Sequence, residues 1–178
     1  LERLVKMNVR LKNELNVKPY STHSIKNSSF PIYRESKNKL YLPIYYGIEK
    51  YNTPNTTLIP KGIPINVHFK GELYKYQENI VNKYINFVGN SGGGLLDVEP
   101  GKGKTVMALK IISRLNVKTI VIVHKSFLMT QWFERINHFL PNAKIGKIQG
   151  DTINIDNCDI VLAMLQSLSI KEYDKNTW

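Results

Sequence analysis

The residues whose spacing carries the most chemistry are Leu95-Leu96-Asp97-Val98-Glu99-Pro100-Gly101-Lys102-Gly103-Lys104-Thr105, an apolar run that turns through two glycines and closes on Gly-Lys-Thr. A loop that holds phosphate needs glycines so that successive backbone N–H groups can approach an anion, and a lysine to reach the outer phosphates. It also needs a hydroxyl to hold Mg²⁺ and a helix N-terminus aimed at the charge. All four parts stand here in order. The pattern G-x-x-x-x-G-K-[ST] is met except at its first position, where Val98 replaces glycine. That departure argues against the loop of small G proteins and simple kinases. Pro100, Gly101, Lys102, Gly103, Lys104 and Thr105 form the expected nucleotide-contacting stretch. Lys104 serves the β- and γ-phosphates, Thr105 the Mg²⁺, and the N–H groups of Gly101 to Thr105 the phosphate oxygens.

Such a loop requires an apolar strand before it and an amphipathic helix after it. Gly94 to Val98 supplies the expected strand, and Val106, Leu109, Ile112 and Leu115 recur at helical spacing behind Thr105. Upstream, Ile80, Val81, Tyr84, Ile85 and Val88 mark one face of a helix stopped by Gly89-Asn90-Ser91-Gly92-Gly93-Gly94. A short strand is expected around Ile63 to Phe69. Downstream the pattern predicts a strand over 118–123, a helix over 124–139 ended by Pro141, a strand over 144–148, a polar loop over 150–157 and a strand over 159–163. Strand, helix, strand, helix, strand describes an α/β domain with a parallel, doubly wound sheet. Ligands of such sheets sit at the carboxyl ends of the strands, where Gly101 to Thr105, His124 to Ser126 and Met164 to Ser167 all fall.

The front of the chain reads as a small α+β domain over residues 1–72, ahead of the phosphate-binding domain over 73–178. Leu4, Val5, Leu11 and Leu15 give a weak helical pattern, and Val17 to Ser29 is turn-rich. Phe30 to Tyr33 and Lys39 to Leu42 flank a polar turn as two strands of a hairpin, Pro43 opens a short helix to Tyr51, and Asn52 to Thr57 is a loop. Tyr20, Tyr33, Tyr41, Tyr45, Tyr46 and Tyr51 interleave with lysine and arginine, a composition suited either to stacking on bases or to filling a small core.

Composition bounds the function. The 178 residues are 42% hydrophobic and 22% charged, with a formal net charge of +11 spread through both halves, which points to a polyanionic partner such as nucleic acid. The single cysteine, Cys158, permits no intrachain disulfide, and His23, His68, His124 and His138 lack the pairing of a metal site. The longest apolar run, Ile120-Val121-Ile122-Val123, is far too short to span a bilayer. The expectation is a soluble intracellular protein.

These stretches together resemble the superfamily 2 helicases and translocases, in particular the large-DNA-virus branch that includes the poxvirus transcript-release helicase. Leu73-Tyr74-Lys75-Tyr76-Gln77 looks like the segment upstream of the loop, Glu99 to Thr105 like motif I, Val121 to Trp132 like motif Ia with its helix, and Asp159 to Leu168 like motif Ic. Motif Ia carries His124-Lys125 where many members have Pro-Thr, and motif Ic carries Met164 where Thr is frequent. The front part resembles the family through Leu15 to Pro19 and Lys39 to Gly47. The resemblance implies a RecA-like P-loop domain that uses ATP and Mg²⁺, with Gln77 reading adenine and His124, Lys125, Ser126 and Gln166 lying along a nucleic-acid strand.

It also implies DNA as the track, with RNA as the alternative, a role in viral transcription alongside transcription machinery, and a location in virion or host-cell cytoplasm. The family's Asp-Glu box and second RecA-like domain do not appear before Trp178. An arginine finger of the kind that second domain supplies is worth about 10³–10⁵ in rate. The expectation is thus a truncated RecA-like domain, the N-terminal portion of a longer motor and nearly inactive alone. Two rivals stand beside it: a non-catalytic nucleic-acid-binding module, and a P-loop ATPase acting on a protein substrate.

Overall fold

The helical spacing behind Thr105 becomes a real helix with two buried faces, and the second half of the chain is built around it. A computed structural model describes residues 9–18, 29–37, 39–52 and 62–173. The chain divides into two units, Leu1–Pro60 and Lys61–Trp178.

In the first unit residues 9–14 are helical, and Leu11 and Leu15 are buried. Two two-residue ladders follow. Strand β1 (Asn16–Val17) pairs antiparallel with β2 (Phe30–Pro31), and β3 (Arg34–Glu35) pairs with β4 (Leu40–Tyr41). The single hairpin expected from Phe30 to Leu42 is therefore split. Phe30 and Pro31 turn back to the earlier strand because the Ile32 N–H donates to the Leu15 carbonyl at 2.9 Å. Helix α1 (Ile44–Tyr51) begins after Pro43, as the proline start predicts. Glu14 ties this unit together: it accepts from Arg10 Nε at 3.0 Å and Tyr46 Oη at 2.5 Å, and Lys50 Nζ lies 3.6 Å away. Of the expected loops Val17 to Ser29 and Asn52 to Thr57, residues 19–28, Tyr20 among them, and 53–57 lie outside the described residues, as do the residues before Val9, while Val17 is the second residue of β1.

In the second unit α2 (Lys75–Ser91) starts where the Gln77 side chain accepts from the Tyr74 N–H at 3.0 Å, and it closes at Gly92, whose N–H reaches Val88 O. Helix α3 (Lys104–Leu115) buries Met107 and Ile111 against Val81 of α2, and Leu109 and Ile112 against the sheet. Helix α4 (Ser126–Phe139) adds Met129 and Ile136 to that second layer. Each fully buried Leu, Ile or Met contributes roughly 1.5–3 kcal/mol.

The sheet runs β5 (Thr119–Val123), β8 (Ile160–Met164), β6 (Ile145–Gln149), β7 (Thr152–Asn154). Strands β5, β8 and β6 are parallel, as the β-branched runs predict, and β8 is buried nearly throughout because it lies between them. One sheet face packs on α3 and α4. The other carries Ile148, Val161 and Ala163 under Leu168 and Tyr173.

Three further expectations are corrected, and one element is added. The polar stretch over 150–157 contains β7, which pairs antiparallel with β6. This hairpin is possible because Gly146 has no Cβ: one there would collide with the Asn154 carbonyl and lie 2.8 Å from Cys158 Sγ. Ile63 to Phe69 forms one isolated bridge, Pro64 to Val117, rather than a strand, and is anchored instead by buried Val67 and the Phe69–Phe139 stack. A short helix, α5 (Leu165–Ile170), follows β8.

The last correction concerns Gly94 to Val98. These residues alternate as a strand does, with Leu96 and Val98 packed on the Val81–Met107–Ile111 cluster and Leu95 90% exposed, yet they belong to no ladder. The outer edge of β5 faces an apolar groove lined by Tyr84, Leu96, Ala108, Ile111 and Ile120. Leu96 and Val98 have packing partners but no strand paired beside them among the described residues.

Candidate nucleotide and nucleic-acid site

The phosphate-type loop leaves Val98, turns at Glu99 and Pro100, and passes through Gly101 and Gly103, whose φ values of +80° and +83° fall where a Cβ is disfavoured. Gly103 is the N-cap of α3, and no side chain caps that helix end. The first-turn N–H groups of α3 therefore point outward without an intrahelical acceptor, and the helix dipole adds positive potential at the same place. Lys104, the first helical residue, folds back so that its ammonium donates to Val98 O at 2.6 Å and Glu99 O at 3.0 Å. Thr105 follows, half-buried.

A second element reaches this loop. Gln77 is 5% exposed, and its Nε2 donates to the Lys102 carbonyl at 3.0 Å and toward the Tyr76 hydroxyl at 3.3 Å. The Tyr76 hydroxyl donates to the same carbonyl at 3.1 Å. A Cβ at residue 103 would stand 2.5 Å from Gln77 Nε2. The start of α2 is thus locked to the loop through one carbonyl. Sequence reasoning singled out Gln77 and gave Tyr76 no part; its place beside Gln77 at the mouth of a helix was the signal.

His124, Lys125 and Ser126 stand exposed where β5 passes into α4, with Lys125 the N-cap in extended conformation. Register sets Val123 beside Met164, so Gln166 comes next to His124, and its Nε2 donates to the His124 carbonyl at 2.9 Å. The Gly150 N–H donates to Ser167 Oγ at 3.0 Å, which adds the end of β6. Lys171 pairs with Asp151 at 2.8 Å, and the Tyr173 hydroxyl donates to the Ser167 carbonyl. The carboxyl ends of three parallel strands are therefore stitched side by side. Ser167, the last residue of the stretch expected at the strand ends but given no individual contact there, makes one of the two stitches.

An uncapped helix behind a two-glycine loop, and a parallel sheet whose strand ends gather polar residues on one border, are the build of a RecA-like α/β domain. The chain belongs to the family described as type III restriction enzyme, res subunit, whose model matches residues 70–177. Over 171 residues it is 32% identical to a provisionally named ATP-dependent RNA helicase of Acanthamoeba polyphaga mimivirus, covering 92% of this chain and 33% of that protein. Over 71 residues it is 39% identical to the DNA 3'-5' translocase XPB2 of Sulfurisphaera tokodaii, covering 40% of this chain and 15% of that protein. The chain thus spans a third or less of the length of these relatives. Among solved structures it is similar in fold to the Sulfolobus solfataricus SWI2/SNF2 ATPase core in complex with dsDNA, with a TM-score of 0.52, 24% identity, and coverage of 64% of this chain and 25% of that one. Among the described residues no helix is long and apolar enough to cross a membrane.

Proposed function

We propose that the protein of which this chain forms part is an ATP-dependent helicase or translocase, and that this chain supplies its nucleotide loop and part of its track. The observation that carries the reading is the loop itself. The uncapped N-terminus of α3 and two positive-φ glycines form an anion cradle, and Lys104 donates to two backbone carbonyls that phosphate oxygens would replace. Pro100 to Thr105 hold the phosphates and Gln77 the adenine edge. The Thr105 hydroxyl would hold the Mg²⁺ that accompanies ATP, and hydrolysis of ATP held there would supply the free energy for movement. His124, Lys125, Ser126 and Gln166 lie along the strand.

DNA is the proposed track. One relative is named for DNA and the solved neighbour holds dsDNA, whereas the mimivirus relative is named for RNA. The similarity to a mimivirus relative supports a viral helicase; the further proposal, which the motif resemblance implies, is a role in viral transcription in the company of a second RecA-like domain and the transcription machinery. The test is nucleic-acid-stimulated ATP hydrolysis by the full-length protein. Lys104→Ala abolishes it on this reading, and undiminished turnover in that variant would overturn it.

A second reading draws on the first unit. Tyr41, Tyr45 and Tyr51 are about half exposed there beside basic residues, a surface suited to stacking on bases without any ATP. Nucleic-acid binding that persists unchanged in full-length Lys104→Ala but is lost on changing these three tyrosines to alanine favours that module over the motor.

A further inference from the structure

Helix α4 covers β8 and β5 but leaves β6 open on the same face of the sheet. The space between is a groove of about 280 Å³. Its floor is apolar, from Met129, Ile145 and Leu162. Its walls carry the hydroxyls of Ser126 and Thr130 and the ring of Phe133, which is 49% exposed, and across from them stand Lys147 and Gln149. The alternation of β6 places Ile145, Lys147 and Gln149 on this face, while Gly146 and Ile148 are buried on the other. No carboxylate lines the groove. Ser126, at its upper end, belongs to the strand-end border where β5 passes into α4.

We propose that this groove is a binding site for single-stranded nucleic acid, extending the strand-end border down the flank of the domain. The Lys147 ammonium meets a backbone phosphate, the Phe133 ring takes the face of a base, and the Ser126 and Thr130 hydroxyls and the Gln149 amide offer hydrogen bonds to sugar and base edges. An apolar floor with one aromatic wall, one cation and no anion matches the alternation of ring and phosphate in a nucleotide strand. The inference rests on the nucleic-acid reading proposed above.

The test is binding of a fluorescent single-stranded oligonucleotide to the intact protein across a range of salt, with circular dichroism to confirm folding. Loss of one phosphate contact lowers the slope of log Kobs against log salt by about 0.7. Lys147→Gln is expected to do this, while Lys83→Gln on α2 leaves the slope in place. Phe133→Leu weakens binding about 5- to 100-fold without changing the slope, as loss of one stacked base does. A slope unchanged by Lys147→Gln, or full affinity in Phe133→Leu, overturns the proposal. So does an acidic peptide of equal charge that competes for the wild-type protein as well as the oligonucleotide does, since the groove would then be reading charge on a protein partner. A wild-type protein that binds no oligonucleotide at all would instead overturn the nucleic-acid reading beneath it.

Discussion

Gln77 and Gly103 compete for one volume: the Gln77 amide nitrogen lies 2.5 Å from where a Cβ on residue 103 would stand, and holds the neighbouring Lys102 carbonyl at 3.0 Å. The glycine is required twice over, once by its φ of +83° and once by the proximity of a buried side chain.

Gly103→Ala should therefore displace Gln77 as well as strain the loop. The left-handed conformation alone costs about 1–2 kcal/mol in a non-glycine residue. The expected result is a lower melting temperature and at least about a tenfold loss of nucleotide affinity, since 1.4 kcal/mol is a factor of ten. Gln77→Ala added to Gly103→Ala should cost less than the sum of the two single changes, because it removes the clash. Strict additivity in that cycle would refute the steric link.

Gln166→Ala separates track from loop. It removes the hydrogen bond to the His124 carbonyl and leaves α3 untouched. A hydrogen bond of this kind contributes about 0.5–1.5 kcal/mol. Titrations should show nucleic-acid affinity reduced by up to about tenfold with nucleotide affinity unchanged. A parallel fall in both would mean that Gln166 acts on the nucleotide loop as well.

Gly146→Ala tests the β6–β7 hairpin. The new methyl meets the Asn154 carbonyl and the Cys158 side chain, so either β7 detaches or β6 shifts. Overpacking of this sort costs about 1–3 kcal/mol. Amide hydrogen exchange should become faster over 147–154 than elsewhere in the sheet. Exchange that remains uniform would show that the hairpin tolerates the methyl group.

The first unit carries a pH signature. The hydrogen bond to Glu14 pushes the Tyr46 phenol up to about 12, and the same bond, with help from Arg10, holds the Glu14 carboxyl below its ordinary value of 4.5. Because Glu14 is lowered, its contribution to stability is present above 4.5 and is lost as pH falls through its lower folded value. Because Tyr46 is raised, its contribution is present below 10.0 and is lost as pH climbs through about 12. Tyrosinate absorbance should show one late-titrating ring that disappears in Tyr46→Phe. An unchanged titration curve in that variant would assign the late step to another tyrosine.

The parts of this fold legible in the sequence were those fixed by local pattern. The stripe Val106, Leu109, Ile112, Leu115 gave α3, the run Ile120 to Val123 gave β5, and glycines at 101 and 103 marked the loop, because helix period, β-branching and backbone freedom are properties of neighbouring residues. What depended on distant partners was not legible. Leu95 to Val98 alternate like a strand, but a strand exists only with a ladder neighbour. Thr152 to Asn154 look like loop because their faces are exposed, yet Gly146 lets them close onto β6. The roles of Tyr76 and Ser167 needed the third dimension, since the partners of their hydroxyls lie on other elements.

Among the described residues β5 is paired on one side only, and this has a consequence for handling the chain by itself. Its sequence, Thr119-Ile120-Val121-Ile122-Val123, contains no proline and no charge, and Ile122 is 52% exposed. An unpaired border of that kind offers its N–H and C=O groups to any passing strand. Net charge of +11 keeps molecules apart at long range, and added salt screens that repulsion. Concentrated samples in high salt should therefore self-associate through β5, and a lysine in place of Ile122 should restore dispersion.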